Sequence, residues 1–333
     1  MRGEWLIPLG CKRGQAGCRD QPEQKYFHDT LSLAIDETFM SRVCALFLLL
    51  ASSNGYTVSR PVLDSTLVLH ASDRTAGAID SLKFRGKEFV NAFDHGREWQ
   101  SAVSYDGFGE CLNPTEAGSF KDGAGPDSSS LLLDARTHDA ALETTVRMAY
   151  WLAPEEPYKA ACGEHKDVHA AQNKEVLSTD TLLKQVTVGY RDLPNVIDYL
   201  VTLNVGDAHQ SSTFEAVTGY MPPEFSLFLT FDPATSKVAP LSNGPGEQPL
   251  PVILSTKDRQ FAIGVYSPSP NPGYGRFLFL QNPGLKGWNT AKWNCVFRTL
   301  AIRPGPLSYR CFLAIGTVEE VRTALARLTK AGE

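Results

Sequence analysis

Nowhere in its 333 residues does the sequence place two cysteines in a C-x-x-C pair, which removes the zinc ribbon and the thioredoxin-type motif from consideration. A Walker-type loop, a G-x-S-x-G elbow and an H-E-x-x-H pair are missing as well. There is no basic stripe either: 32 lysines and arginines are interspersed among 37 acidic residues, for a formal net charge of −5. Without a concentrated positive face nothing neutralises a phosphate backbone, and nucleic acid is not an expected partner. No apolar run reaches the roughly 20 residues of a membrane-spanning helix, so stable membrane insertion is not expected. Helical periodicity is scarce, and no internal repeat divides the chain.

What the N-terminal part does contain is a segment with the layout of an export signal. "MSRVCALFLLLASSNGY" starts at Met40, carries Arg42, runs apolar from Val43 to Ala51 and ends in small residues at Ser52 and Ser53. A charged start, a short apolar stretch and a small-residue end describe a secretory signal over 40–53. The alternative is a buried strand or helical turn. Residues 1–39 are polar and patternless, and read as an upstream, disordered leader. Export makes the protein secreted or periplasmic; without it the protein is cytoplasmic. Cleavage near Ser53 leaves Cys111, Cys162, Cys295 and Cys311, an even number that permits disulfides in three connectivities or leaves buried free thiols.

Beyond that segment, alternation with a period of two dominates. "VIDYLVTLNV" puts Ile197, Tyr199, Val201, Leu203 and Val205 on one face, the pattern of a half-buried strand. Phe225, Leu227, Leu229 and Phe231 repeat it, as do Phe261, Ile263 and Val265, and then Tyr309, Cys311, Leu313 and Ile315. "IDSLKFRGKEFVN" reads as two short strands turning at Gly86-Lys87. At the far end Thr317 and Glu320 have capping-box spacing, and Val318, Val321, Leu325 and Leu328 share one helical face. The expected fold is therefore all-β: one large antiparallel β-sandwich over 58–330, closed by a C-terminal helix. Long irregular loops at 112–130, 152–173 and 242–251 are the natural carriers of function.

The stretches "GAIDSLKFRGKEFVN", "STFEAVTGYMPPEFSLFLTFDPATSKVAPLS" and "LAIRPGPLSYRCFLAIG", with an arginine-bearing segment at Arg97, give the chain a resemblance to the galactose-mutarotase-like supersandwich group over most of 65–317. The resemblance implies that β-supersandwich and, by analogy of fold, sugar chemistry. Aldose epimerases of that group use a mid-chain histidine and a late glutamate. Here "FEAVTGYMPP" has no histidine, the nearest being His209, and Gln281 stands near the late position. A glutamine cannot serve as a base, which points away from simple mutarotation.

Candidate site residues follow from chemistry. If the strand begins at "DHGREWQS", His95, Arg97, Trp99 and Ser101 share a face, with Glu98 and Gln100 opposite. An indole offers a flat platform to a sugar ring, an arginine fork holds carboxylates or hydroxyls, and His95 titrates near neutrality. The alternative puts Trp99 in the core and Arg97 in an ion pair with Asp94. Glu110, Asn113 and Glu116 lie close along the next loop, where paired carboxylates suit glycoside chemistry and an amide suits a developing charge, although "NPTEAG" is also turn chemistry. Glu215 and Tyr220 supply a second acid and a phenol; in simple register Glu215 shares a face with Val217. Tyr274, Arg276 and Trp293 add binding groups suited to a saccharide groove. His165 and His169 are four apart, but no third ligand accompanies them, and no metal or other cofactor is expected.

These features define a secreted carbohydrate-active enzyme acting on a glycan or small sugar. Two of His95, Glu110, Glu116, Glu215 and Tyr220 would move protons, and hydrolysis would favour a carboxylate pair. Elimination from an acidic glycan would use Arg97 or Asn113 against a uronate, with Tyr220 or His95 taking the proton. The rivals are a non-catalytic sugar-binding β-sandwich and a sugar epimerase.

Overall fold

The computed structural model describes residues 55–280 and 288–330. The signal-like segment from Met40 and the position of Gln281 lie outside the described residues. Within them, nineteen strands hydrogen-bond into one continuous antiparallel system that folds over on itself, and a single α-helix follows.

Two arrays of strands face each other. One sets Gly273–Phe279, Thr290–Ile302, His209–Met221 and Trp99–Tyr105 side by side. The other runs through Ala141–Tyr150, Leu177–Tyr190, Leu193–Val205, Gly305–Gly316 and Ala262–Tyr266. Strand alternation sends every second side chain between them. Trp99, Val103, Phe214, Met221 and Trp293 enter one contiguous core with Leu182, Ile197, Tyr199, Leu203 and Leu313. Each large apolar side chain buried in this way stabilises by roughly 1.5–3 kcal/mol, and the sandwich is held chiefly by their number.

The alternating runs at 197–205 and 311–315 point inward as expected. The helix Val318–Lys330 also forms as expected: Glu320 N–H donates to Thr317 Oγ1 at 3.2 Å and Thr317 N–H to Glu320 Oε2 at 2.7 Å. Its apolar stripe of Val318, Val321, Leu325 and Leu328 closes a second core with Phe312 and Ala314.

Three local expectations change. The hairpin within residues 79–88 turns at Arg85-Gly86, one residue earlier than expected, with φ of 50° and 74° and Lys87 already paired to Phe84. A turn with both central residues left-handed favours glycine in the second place, and Gly86 takes it. The strand expected from His95 begins only at Trp99, because residues 93–98 form turns. Finally, the ladder of His209–Met221 shifts between Glu215 and Val217, so Ala216 is an extra residue. This β-bulge lets Ala216 and Val217 both enter the core and separates Val217 from the face of Glu215.

Cys111 and Cys162 form a disulfide, while Cys295 and Cys311 are buried free thiols. Among the described residues no helix is long and apolar enough to cross a membrane.

Candidate functional site

The first array has a core face filled by Trp99, Val103, Phe214 and Trp293, so its opposite face must take the alternate residues. Register brings them together. Tyr220 lies opposite Lys292, which lies opposite Phe277; Thr218 faces Asn294, which faces Gly275; and Glu215 faces Ala102. The floor is made of small or pinned groups. A Cβ at Gly275 would stand 2.3 Å from Asn294 Oδ1, so only glycine leaves that amide in place. Asn294 Oδ1 accepts the Gly275 N–H at 2.8 Å, and its Nδ2 thereby donates to Glu215 Oε1, 2.9 Å away.

Charge is organised around Lys292. Its Nζ lies 3.2 Å from Glu215 Oε1 and stands 5.1 Å from the ring centre of Tyr220 and 5.7 Å from that of Phe277. Burial by itself would push this ammonium to lose its proton, but Glu215, then Tyr220 and Glu110, overcome it and hold the group above the ordinary lysine range. Glu110 reaches the same region from the short 3₁₀ turn Gly109–Leu112, where Asn113 Nδ2 donates to its Oε2 at 3.3 Å. Burial pushes the Glu110 carboxyl up, with the Lys292 charge opposing and the Glu215 charge reinforcing. Burial likewise pushes the Tyr220 phenol up, against the pull of Lys292. Tyr220 is therefore a neutral hydrogen-bonding phenol near pH 7 rather than a base.

The turn bearing Glu110 is fixed from outside. Cys111 is bonded to Cys162 in the loop 152–173, and Gln172 N–H donates to Cys111 O at 2.7 Å. That loop also carries Tyr158, whose phenol is pushed up by burial and then by the Glu110 charge. Trp151 N–H donates to Asn113 O at 2.8 Å, tying the end of the strand Ala141–Tyr150 to the same wall.

Four residues singled out in the sequence thus meet on one face: Glu110, Asn113, Glu215 and Tyr220. The others go elsewhere, each for a physical reason. His95 is buried in a turn, with carbonyl oxygens of Gly123 and Arg74 each 2.8 Å from its two ring nitrogens, so neither nitrogen is available to a substrate. Glu116 is buried in an ion pair with Lys184 and accepts the Ser101 N–H at 2.8 Å, a wholly internal role. Trp99 and Trp293 pack edge to face in the core, ring centres 5.4 Å apart, and cannot stack on a sugar. Tyr274 is buried and takes the Ser267 N–H on its hydroxyl at 2.9 Å. Arg276 is spent on Ser242 and Gln248, bracing the loop 242–248. Arg97 is ion-paired to Asp94 and lies over the rings of Phe93 and Trp288, off the strand face that it was expected to share. His165 and His169 bind separate backbone carbonyls, those of Asp106 and Ala160, and no metal-binding group of three is found among the described residues.

Lys292 and Asn294 were not foreseen, although a signal existed. In "KWN" a core tryptophan on a strand obliges both of its neighbours to the opposite face. Phe277 follows from Arg276 in the same way.

No family model and no curated protein sequence matches the chain. Similar solved structures include a galactose mutarotase-like protein from Lactobacillus casei, with a TM-score of 0.43, 12% identity and 78% of this chain and 99% of that one covered. An α-mannosidase from Enterococcus faecalis gives a TM-score of 0.44 at 10% identity, covering 84% of this chain and 32% of its own. A heparan sulfate lyase from Pedobacter heparinus gives 0.41 at 7% identity, covering 79% and 35%. The chain thus spans about a third of the mannosidase and of the lyase. The chemistry of the site follows from its own residues.

Proposed function

We propose that the protein is a secreted carbohydrate-active enzyme that cleaves a glycosidic bond of a neutral sugar by general acid/base chemistry. The observation that carries this reading is the pair Glu110 and Glu215, two carboxyl groups placed in unlike environments around one lysine. Burial favours the protonated form of Glu110, which suits it to protonate a departing oxygen. Glu215 accepts from both Lys292 and Asn294, contacts that fix its carboxyl group in place and suit it to attack carbon or activate water. Asn113 orients Glu110, and the neutral Tyr220 phenol can donate to a ring hydroxyl. Two carboxyl groups against one ammonium leave no surplus positive charge to neutralise a uronate, and Arg97 is already paired to Asp94. Elimination from an acidic glycan is therefore the less supported chemistry. Secretion is supported by the Cys111–Cys162 disulfide, which persists in oxidising compartments.

The test incubates the protein with a panel of neutral and acidic glycans and reads new reducing ends, unsaturated-product absorbance and anomer exchange. Hydrolysis of a neutral member, lost in both Glu110→Gln and Glu215→Gln, is expected. Absorbing products would mark elimination, and anomer exchange alone would mark an epimerase. Binding without turnover, indifferent to both substitutions, would leave a sugar-binding sandwich.

A further inference from the structure

The wall beside Glu110 continues into a strip of aromatic rings that the acid/base groups do not account for. Phe120 packs edge-on against Trp151 with ring centres 5.6 Å apart, and its N–H donates to Trp151 O at 2.9 Å. The tip of the Trp151 indole lies against Gly96, where a Cβ would come within 2.7 Å of Cη2, so a side chain at 96 would displace the ring. The next residue, Arg97, spreads its guanidinium 5.7 Å from the ring centre of Phe93 and 5.1 Å from that of Trp288. Phe93 and Trp288 themselves stand 5.8 Å apart.

Backbone hydrogen bonds connect the segments that carry these rings to those that carry the acid site. Trp151 is tied to Asn113, the residue that holds Glu110. Trp288 precedes Asn289, whose carbonyl accepts Asn91 Nδ2 at 3.1 Å, and Asn91 N–H in turn donates to Tyr220 O at 2.8 Å. Two of the rings remain open to solvent: Phe120 is 58% and Trp288 40% exposed. Arg97 keeps a buried Nε–H without an acceptor among the described residues. Exposed rings beside a part-exposed Arg97–Asp94 pair match a sugar, which joins an apolar C–H face to hydroxyls that donate and accept. The Arg97 charge is cancelled by Asp94, so the matching sugar is again neutral.

We infer that Phe120, Trp151, Arg97 and Trp288 form a saccharide-binding subsite flanking the acid pair, and that the substrate is a neutral oligosaccharide of more than one unit. The sugar carrying the scissile bond sits over Glu215 and Lys292. A neighbouring unit stacks on the exposed rings, and its hydroxyls meet the part-exposed edge of the Arg97–Asp94 pair. This rests on the carbohydrate reading above, but it is tested by binding rather than turnover.

The experiment is isothermal titration of the intact protein with gluco-, manno-, galacto- and xylo-oligosaccharides of one to six units, beside Phe120→Ala and Trp288→Ala. Affinity for one series should rise with length by at least about tenfold, the size of one good aromatic contact, and each substitution should flatten that rise. Both residues are exposed, and thermal melts will report whether the variants fold. Affinity independent of length, a rise unchanged in both variants, or binding of no series overturns the subsite. Turnover lost in Glu215→Gln with flat length dependence would reject the subsite and keep the acid pair. Length-dependent binding without turnover would do the reverse.

Discussion

Lys292 reaches across the ladder to Glu215, Nζ to Oε1 3.2 Å, from a position opposite Tyr220. One cation thus balances two carboxyl groups, and its removal acts on both. In Lys292→Met the turnover rate should fall by about 100-fold, since Glu215 loses the ammonium that holds it in place. Glu110 loses the positive charge that opposes its upward shift, so the alkaline limb of the pH–rate profile should move to higher pH. A limb that stays in place would remove Glu110 from the role of acid.

If Glu110 protonates the leaving oxygen, the penalty for Glu110→Gln depends on that group. A natural sugar leaving group should lose about 100-fold or more, whereas an aryl glycoside with an acidic phenol should lose much less. Glu215→Gln should impair both substrates alike. Steady-state rates on the two substrates separate the roles, and equal losses in Glu110→Gln would exchange or abolish them.

Glu98 is buried with neither carboxyl oxygen hydrogen-bonded, its nearest charge being Arg74 Nη1 at 3.5 Å, and burial pushes its pKa to about 8. An unfolded glutamate titrates near about 4.3. Below that value both states hold the proton and stability is unaffected. Between about 4.3 and 8 the unfolded chain has released a proton that the folded chain retains. Stability then declines as pH rises, by up to about 1.4 kcal/mol per pH unit, and levels off above pH 8. Urea unfolding from pH 5 to 9 should show a flatter profile in Glu98→Gln than in the parent. Identical profiles would mean that the group is not protonated in the fold.

Lys184 and Glu116 pair with neither side chain exposed, and Lys184 also donates to Gly77 O at 2.8 Å. Lys184→Met strands the carboxylate and should destabilise by about 3–5 kcal/mol. Adding Glu116→Gln removes the stranded charge while keeping an acceptor for the Ser101 N–H, so the double variant should be more stable than Lys184→Met. Denaturant midpoints decide it; additive losses would argue that the two groups do not interact.

The disulfide spans 51 positions and anchors the turn that bears Glu110. Chain-entropy reasoning assigns such a loop about 4 kcal/mol. Cys111→Ala with Cys162→Ala should lower the unfolding free energy by that order and reduce turnover, through looser placement of Glu110. Unchanged kinetics in a folded double variant would place the acid elsewhere.

Strand alternation was sufficient to specify an antiparallel sandwich, and the Thr317–Glu320 spacing specified the closing helix, because both are local patterns repeated over many residues. Glu110, Asn113, Glu215 and Tyr220 were also recognisable by chemical type. Their convergence was not, since Glu110 meets Lys292 only through strand pairing and a disulfide between distant segments. The misassigned residues show the same limit. His95 and Glu116 carry reactive groups, but a side chain's chemistry says nothing about whether backbone carbonyls or a lysine from another strand already satisfy it. Ala216 decided the orientation of Glu215, and a bulge is a property of two paired strands rather than of one sequence. Composition and period therefore determined the layers, while register, set by the whole core packing at once, decided which polar groups share the open face.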